Sequence, residues 1–368
     1  MLSRRALMAA LAASAATAPV SADWLRASLD DEDTSPLRTL AASRGLLFGA
    51  ANNNFWLRDA NYSAACARDC GILVPEYELK REFIETSPGI YDFSAVDALL
   101  AYAQKTRMAF RGHTLVWYTA NPTFLDVMVS GAANETVFTD YINATVAHYR
   151  GHMHSWDVVN EAIEPEDGRA DGLRNNLWLK RFGPSYIEQS YRAAHAADPT
   201  ALLVYNEYGL EQAGPKNDAR RKATLALLER LVSRGVPVGG LGLQAHINAF
   251  GRTIDPKVLS SFLNAVQAMG LKILVTEHDV DDTGGPSDID SRDRAVADAT
   301  HRLLDVVLDN TAAIAVLTWG YSDRFIEVDS TRDKLLRGKP RSLPLDEAMR
   351  PTPMHAALAR AFTGARRR

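Results

Sequence analysis

The chain has 368 residues, 46% of them hydrophobic, with 41 basic against 45 acidic side chains and a formal charge of −4. That length suits one large α/β domain with a sizeable core, and so even a charge balance, with no basic stripe, argues against a nucleic-acid partner. The only two cysteines, Cys66 and Cys70, have no Cys/His cluster beside them and so make no zinc site.

Residues 1–22 read as an export signal. Arg4 and Arg5 precede an Ala-rich apolar run, and Val20-Ser21-Ala22 ends it in a small-x-small pattern. The adjacent arginines point to the twin-arginine route, and the run is too short to anchor the chain in a bilayer. The expectation is an exported protein, periplasmic or extracellular, with no membrane anchor. Residues 23–43, with Asp30-Asp31-Glu32-Asp33, read as a solvated lead-in. Cys66 and Cys70 read as partly buried thiols rather than an oxidised pair, although a periplasmic address would permit the latter.

Eight short apolar runs follow, each of a length that suits a strand buried on both faces. They are Leu46–Ala50, Cys70–Glu76, Met108–Trp117, Ser155–Glu161, Leu202–Glu207, Leu241–His246, Ile273–Glu277 and Ile314–Gly320. Between them lie stretches with helical period. The clearest runs from Asp255 to Gly270: Asp255 suits an N-cap, Pro256 the first helical position, and Val258, Leu259, Phe262, Leu263, Val266 and Met269 form an apolar face. Similar helices are expected over Phe93–Ala103 and Arg220–Ser233. Eight repeats of strand and helix, with crossovers long enough for parallel pairing, predict a single-domain α/β (β/α)8 TIM barrel over residues 44–364, with 365–368 as a frayed basic tail.

In such a barrel the active site lies at the C-terminal ends of the strands. The residues there are Glu76 and Lys80, His113 and Trp117, Asn160 and Glu161, Asn206, Gln244 and His246, Glu277 and Asp279, and Trp319. Carboxylates, amides and imidazoles hydrogen-bond hydroxyls, and tryptophan faces stack on pyranose rings, so this is a sugar-binding inventory. Two glutamates delivered from separate strand ends, Glu161 and Glu277, suit paired acid and nucleophile chemistry on a glycosidic bond.

At these residues the chain resembles the family-10 glycoside hydrolases, the endo-β-1,4-xylanase family, over nearly all of its length after the signal. The motifs that carry the resemblance are Leu47-Phe48-Gly49-Ala50, Pro75-Glu76 with Lys80, Arg111-Gly112-His113-Thr114-Leu115-Val116-Trp117, Trp156-Asp157-Val158-Val159-Asn160-Glu161, Gly242-Leu243-Gln244-Ala245-His246, Thr276-Glu277 with Asp279, and Thr318-Trp319-Gly320. The resemblance implies that Glu161 is the acid/base and Glu277 the nucleophile of a retaining mechanism, with Asn160 on the sugar's 2-hydroxyl. It also implies His246 on Glu277, and Asp279 orienting His246. The expected partner is a polysaccharide or oligosaccharide, no metal or other cofactor is required, and a monomer is expected. The competing readings are another β-1,4-glycanase on the same barrel and a non-hydrolytic glycan-binding barrel.

The chain also departs from the family's pattern on one side of the cleft. Tyr77 stands where Asn is usual, Arg81 where Trp is usual, and Tyr118-Thr119-Ala120 where His-Ser-Gln is usual. Arg324-Phe325-Ile326-Glu327 lacks the usual tryptophan lid, and Asn206-Glu207-Tyr208-Gly209 replaces the commoner Asn-Asp-Tyr-Asn. These changes predict a rebuilt glycone subsite, in which Arg81 or Arg324 either pairs with acidic groups on a substrate or stands as a solvated charge beside a drifted subsite of an ordinary xylanase.

Overall fold

The computed structural model of the chain describes residues 35–130, 135–326 and 340–368. The export signal, the acidic stretch of the lead-in and Glu327 lie outside the described residues. All eight apolar runs are strands: β1 (Leu47–Asn52), β2 (Ile72–Pro75), β3 (Ala109–Gly112), β4 (Ser155–Asn160), β5 (Leu202–Glu207), β6 (Gly240–Leu243), β7 (Lys272–Asp281) and β8 (Ala313–Thr318). They pair in parallel in chain order, and β8 closes the ring, since Val316 stands opposite both Phe48 of β1 and Val275 of β7. Each side chain faces either the barrel interior or the surrounding helices, so both sets are covered. All six residues of β4 are buried for this reason.

Helices return the chain between strands, at Ala60–Asp69, Ser94–Lys105, Thr136–His148, Ser185–Ala197, Pro215–Ser233, Pro256–Ala268 and Ile289–Asp309, and Pro353–Gly364 follows the last strand. Asp255 caps its helix as expected, accepting from the backbone N–H groups of Lys257 and Val258. The buried stripe is Leu259, Phe262, Leu263 and Val266, whereas Val258 is 40% exposed. Val258 lies outside the 3-4-7 spacing of that stripe and turns to the surface.

The core has two layers. Ala51, Ile72, Val74, Val204, Leu274, Ala315 and Leu317 fill the barrel, and a much larger cluster lies between strands and helices. Gly112 of β3 fits the outer layer because a Cβ there would stand 2.1 Å from the Trp156 ring. β3 ends at Gly112, and beyond it the run meets β4 again through an isolated bridge between Val116 and Val159, so the third run is a regular strand only in its first half.

Both ends of the domain differ from expectation. The lead-in contains a helix, Leu37–Ala42, with Leu37, Leu40 and Ala41 buried. The basic tail is docked rather than frayed: the Arg368 N–H donates to Arg44 O at 2.9 Å, and its guanidinium donates to Ala313 O at 2.6 Å and Leu308 O at 3.0 Å. Those carbonyls lie at the start of a strand and the end of a helix, where acceptors lack ladder partners. Cys66 and Cys70 are free thiols and fully buried, deeper than expected, with Cys66 Sγ 3.5 Å from Asn52 Oδ1. Among the described residues no helix is long and apolar enough to cross a membrane.

Candidate active site

Glu277 belongs to β7, within a register shift between Val275 and His278, and its N–H donates to Gln244 O at 3.1 Å. Its side chain accepts from Asn206 Nδ2 at 2.7 Å and from His246 Nε2 at 3.2 Å, with His113 Nδ1 3.8 Å away. Asp279 Oδ1 lies 2.9 Å from His246 Nδ1, so the imidazole bridges two acids. Burial alone would push the Glu277 carboxyl up; His113, His246 and Asn206 reverse that and hold it at about 2. Burial likewise works against a charged His246, but Asp279 and Glu277 win and hold it well above the usual imidazole range. Gly242 makes room for this arrangement, because a Cβ there would stand 2.2 Å from Asn206 Oδ1.

Glu161 stands one residue past β4 with a left-handed φ of +56°, a conformation that costs a non-glycine residue on the order of 1–3 kcal/mol unless its surroundings hold it. Three donors converge on its carboxyl group: Gln244 Nε2 at 2.8 Å, Trp117 Nε1 at 3.0 Å and Asn160 Nδ2 at 3.1 Å. Asn160 Oδ1 in turn accepts from Asn206 Nδ2 at 3.0 Å. A continuous path of side chains, Glu161 to Asn160 to Asn206 to Glu277, therefore joins the two carboxyl groups.

The sugar-binding candidates surround this path. Glu76 follows β2 and accepts from Asn53 at 3.2 Å. Lys80 is 7% exposed, and its Nζ lies 4.5 Å from the Tyr77 ring, 5.3 Å from Trp117 and 5.9 Å from Trp319. Its ammonium makes no hydrogen bond among the described residues. Burial lowers its proton affinity, opposed by the charges of Glu76, Glu277, Glu82 and Glu161. Trp319 meets His113 and His246 edge-on, at 5.3 and 6.4 Å between ring centres. Thus Glu76, Lys80, His113, Trp117, Asn160, Glu161, Asn206, Gln244, His246, Glu277, Asp279 and Trp319 all fall in one connected site.

His113, Asp157 and Glu277 are the His/acid group among the described residues close enough to share a metal ion. Arg111 already lies on Asp157 and protonated His246 on Glu277, so the positive charge an ion would bring is supplied by the protein.

The rebuilt side of the cleft differs from expectation. Arg81 is buried, paired with Glu85 at 2.7 Å, bonded to Val137 O and held 4.7 Å over the Tyr141 ring. It cannot reach a substrate. Arg324 is tied to Asp59 and to Glu347 O. Phe325 stacks on Trp56 with ring centres 5.8 Å apart and so packs inward. Tyr77 is the residue that borders the cleft: its hydroxyl donates to Glu82 at 2.7 Å and its ring meets Phe83 at 4.4 Å. Sequence reasoning missed Asp157, which holds His113 at 3.0 Å, and Arg174, which bonds Glu161 O. Asp157 lay inside the Trp156–Glu161 motif and was available as a signal; Arg174 comes from a loop and was not.

A closed parallel barrel presenting two linked carboxyl groups of unlike environment at its strand ends is the layout of a glycoside hydrolase. The chain matches glycosyl hydrolase family 10 over residues 36–361 and belongs to that family. It is 32% identical over 327 residues to endo-1,4-beta-xylanase B of Thermotoga neapolitana, spanning 88% of this chain and 90% of that protein. Among solved structures it resembles xylanase 10B of Thermotoga petrophila in complex with xylobiose, with a TM-score of 0.78 and 30% identity over 90% of this chain and 98% of that one. It also resembles an intracellular xylanase of Thermoanaerobacterium saccharolyticum in complex with xylotetraose, with a TM-score of 0.76 and 25% identity over 89% and 99%.

Proposed function

We propose that this chain is a retaining glycosidase that cleaves internal β-1,4-xylosidic bonds of xylan, with Glu277 as nucleophile and Glu161 as acid/base. The observation that carries the reading is the pair of carboxyl groups joined through Asn160 and Asn206, with Glu277 kept ionised by His246, His113 and Asn206. In the first half-reaction the Glu277 carboxylate attacks the anomeric carbon while Glu161 gives its proton to the departing glycosidic oxygen, leaving a glycosyl ester. In the second, Glu161 takes a proton from water, which attacks the same carbon and frees Glu277. Asn160, which bonds both Glu161 and Asn206, is the residue that would take the sugar's 2-hydroxyl. The names of the similar proteins support xylan as the substrate, and the oligosaccharides in the similar structures support a cleft that holds several sugars.

The buried state of Arg81 removes it as a partner for acidic decorations, so linear xylan is the expected substrate, with Tyr77 and Ala120 shaping the glycone side. Reducing-sugar release from linear xylan, glucuronoxylan and a β-1,4-glucan, with Glu277→Ala as control, tests this. Proton NMR of the first-formed anomer tests retention. Faster turnover of the glucan would make the chain a different glycanase, and binding without release would make it a non-hydrolytic barrel. Residues 1–22 are proposed to direct export; changing Arg4 and Arg5 together to Lys is expected to hold the protein back from the periplasmic fraction, and unchanged export would rule out the twin-arginine route.

A further inference from the structure

The turn after β4 has side-chain or backbone partners for every backbone polar group around Glu161. The Glu161 N–H donates to Asn206 O at 3.0 Å, and its carbonyl accepts from Arg174 Nε at 2.8 Å. The Ala162 N–H donates to the Tyr205 hydroxyl at 3.1 Å, and its carbonyl accepts from the Arg174 N–H at 2.7 Å. The Ile163 N–H donates to Glu207 Oε2 at 3.1 Å, and its carbonyl accepts from Arg220 and Arg174. Tyr205 and Glu207 reach the turn from β5, and both are fully buried.

Glu207 is the hub of this set. Besides Ile163 it accepts from the Tyr205 hydroxyl at 2.5 Å, the Tyr208 N–H at 3.2 Å and Arg220 Nη1 at 3.3 Å. All four partners are donors spread over both carboxyl oxygens, whereas an amide offers one oxygen to accept and an NH2 group that cannot. Burial outweighs the Arg220 charge and the bonds from Tyr205 and Ile163, and pushes the Glu207 carboxyl up to about 8.

We propose that Tyr205 and Glu207 are positioning residues for Glu161: they hold the left-handed turn from which its carboxyl group is aimed at the leaving oxygen. The inference rests on the reading of Glu161 as proton donor. A left-handed backbone at a residue with a side chain does not hold itself. With Tyr205 or Glu207 altered, the N–H groups of Ala162 and Ile163 lose their acceptors, the turn relaxes, and the Glu161 carboxyl group moves. Glu277 lies on another strand and has its own partners in Asn206, His246 and Gln244 O, so it stays in place. The damage should therefore fall on steps in which Glu161 transfers a proton.

The test compares kcat/KM for two substrates, 2,4-dinitrophenyl β-xylobioside, whose leaving group departs without a proton, and phenyl β-xylobioside, whose leaving group needs one. Tyr205→Phe and Glu207→Gln are expected to lower the phenyl value by about 10- to 100-fold and the dinitrophenyl value by less than about threefold. Glu207→Asp, which keeps the carboxyl group but withdraws it by a methylene, should fall between wild type and Glu207→Gln. Equal losses on both substrates, or no loss on either, would overturn the proposal. Tyr205→Phe removes only a hydroxyl and carries the test alone if Glu207→Gln does not fold. A wild-type chain inert toward both substrates would overturn the glycosidase reading itself, which is distinct from losses confined to the variants.

Discussion

Glu277 lies inside a ten-residue strand, whereas Glu161 stands one residue beyond the end of a six-residue one. Glu277 continues β7 past its last residue paired with β6, with its N–H on Gln244 O, and its side chain meets protonated His246 at 3.2 Å, with the His113 ring 3.8 Å away. The backbone of Glu161, one N–H to Asn206 O aside, is placed by side chains from β5 and by Arg174, while its carboxyl group meets three neutral N–H donors. The difference fits the two jobs. A nucleophile must stay ionised, which nearby cations secure, and an acid/base must exchange a proton while staying aimed, which neutral donors and a fixed turn allow.

The largest expected effect sharpens that contrast most. Glu277→Ala should abolish turnover of every glycoside, by about four orders of magnitude or more. Glu161→Ala should cost about 10²–10⁴-fold on substrates that need leaving-group protonation and far less on dinitrophenyl glycosides in kcat/KM; a large loss on the activated substrate would break the assignment of roles. Next comes His246→Ala. With Glu277 at about 2, the wild-type kcat/KM should hold steady as pH falls through the usual carboxylate range near 4.5. Without His246 one cause of the lowering is gone while burial remains, so the acid limb should move to higher pH. The same linkage makes Glu277 a source of folded-state stability that is present above its unfolded value and lost as pH falls toward 2. An acid limb unmoved in His246→Ala, read from pH–rate profiles, would mean that His113 and Asn206 suffice. The smallest effect belongs to the rebuilt glycone side: Tyr77→Asn or Ala120→Gln should change KM for xylo-oligosaccharides by less than about tenfold with kcat nearly constant, because each touches binding away from the bond that breaks.

Much of this molecule was legible before any coordinates. The eight strands stood out because parallel strands covered on both faces are continuous apolar runs, and the site residues could be named because each run ends in the polar group it delivers. Glu161 and Glu277 were found in this way. What escaped depends on contacts across the chain. Arg81 reads as a solvated charge beside the cleft, yet Glu85 one helical turn on and the Tyr141 ring draw it inside. Arg368 reads as a frayed end, but acceptors on Ala313 and Leu308, more than fifty residues away, dock it. Tyr205 is an ordinary core aromatic by sequence, and only the left-handed turn at Glu161 gives its hydroxyl a purpose.

Lys80 has a consequence of its own. Its ammonium sheds much of its hydration when the barrel folds and gains three aromatic rings instead of an acidic oxygen, so the folded protein holds a cation only partly compensated for burial at the mouth of the cleft. A sugar hydroxyl arriving there finds a donor that has little solvent left to shed, and affinity gains what the empty fold lost. Lys80→Met should accordingly melt at a higher temperature than the parent and hold its oligosaccharide more weakly.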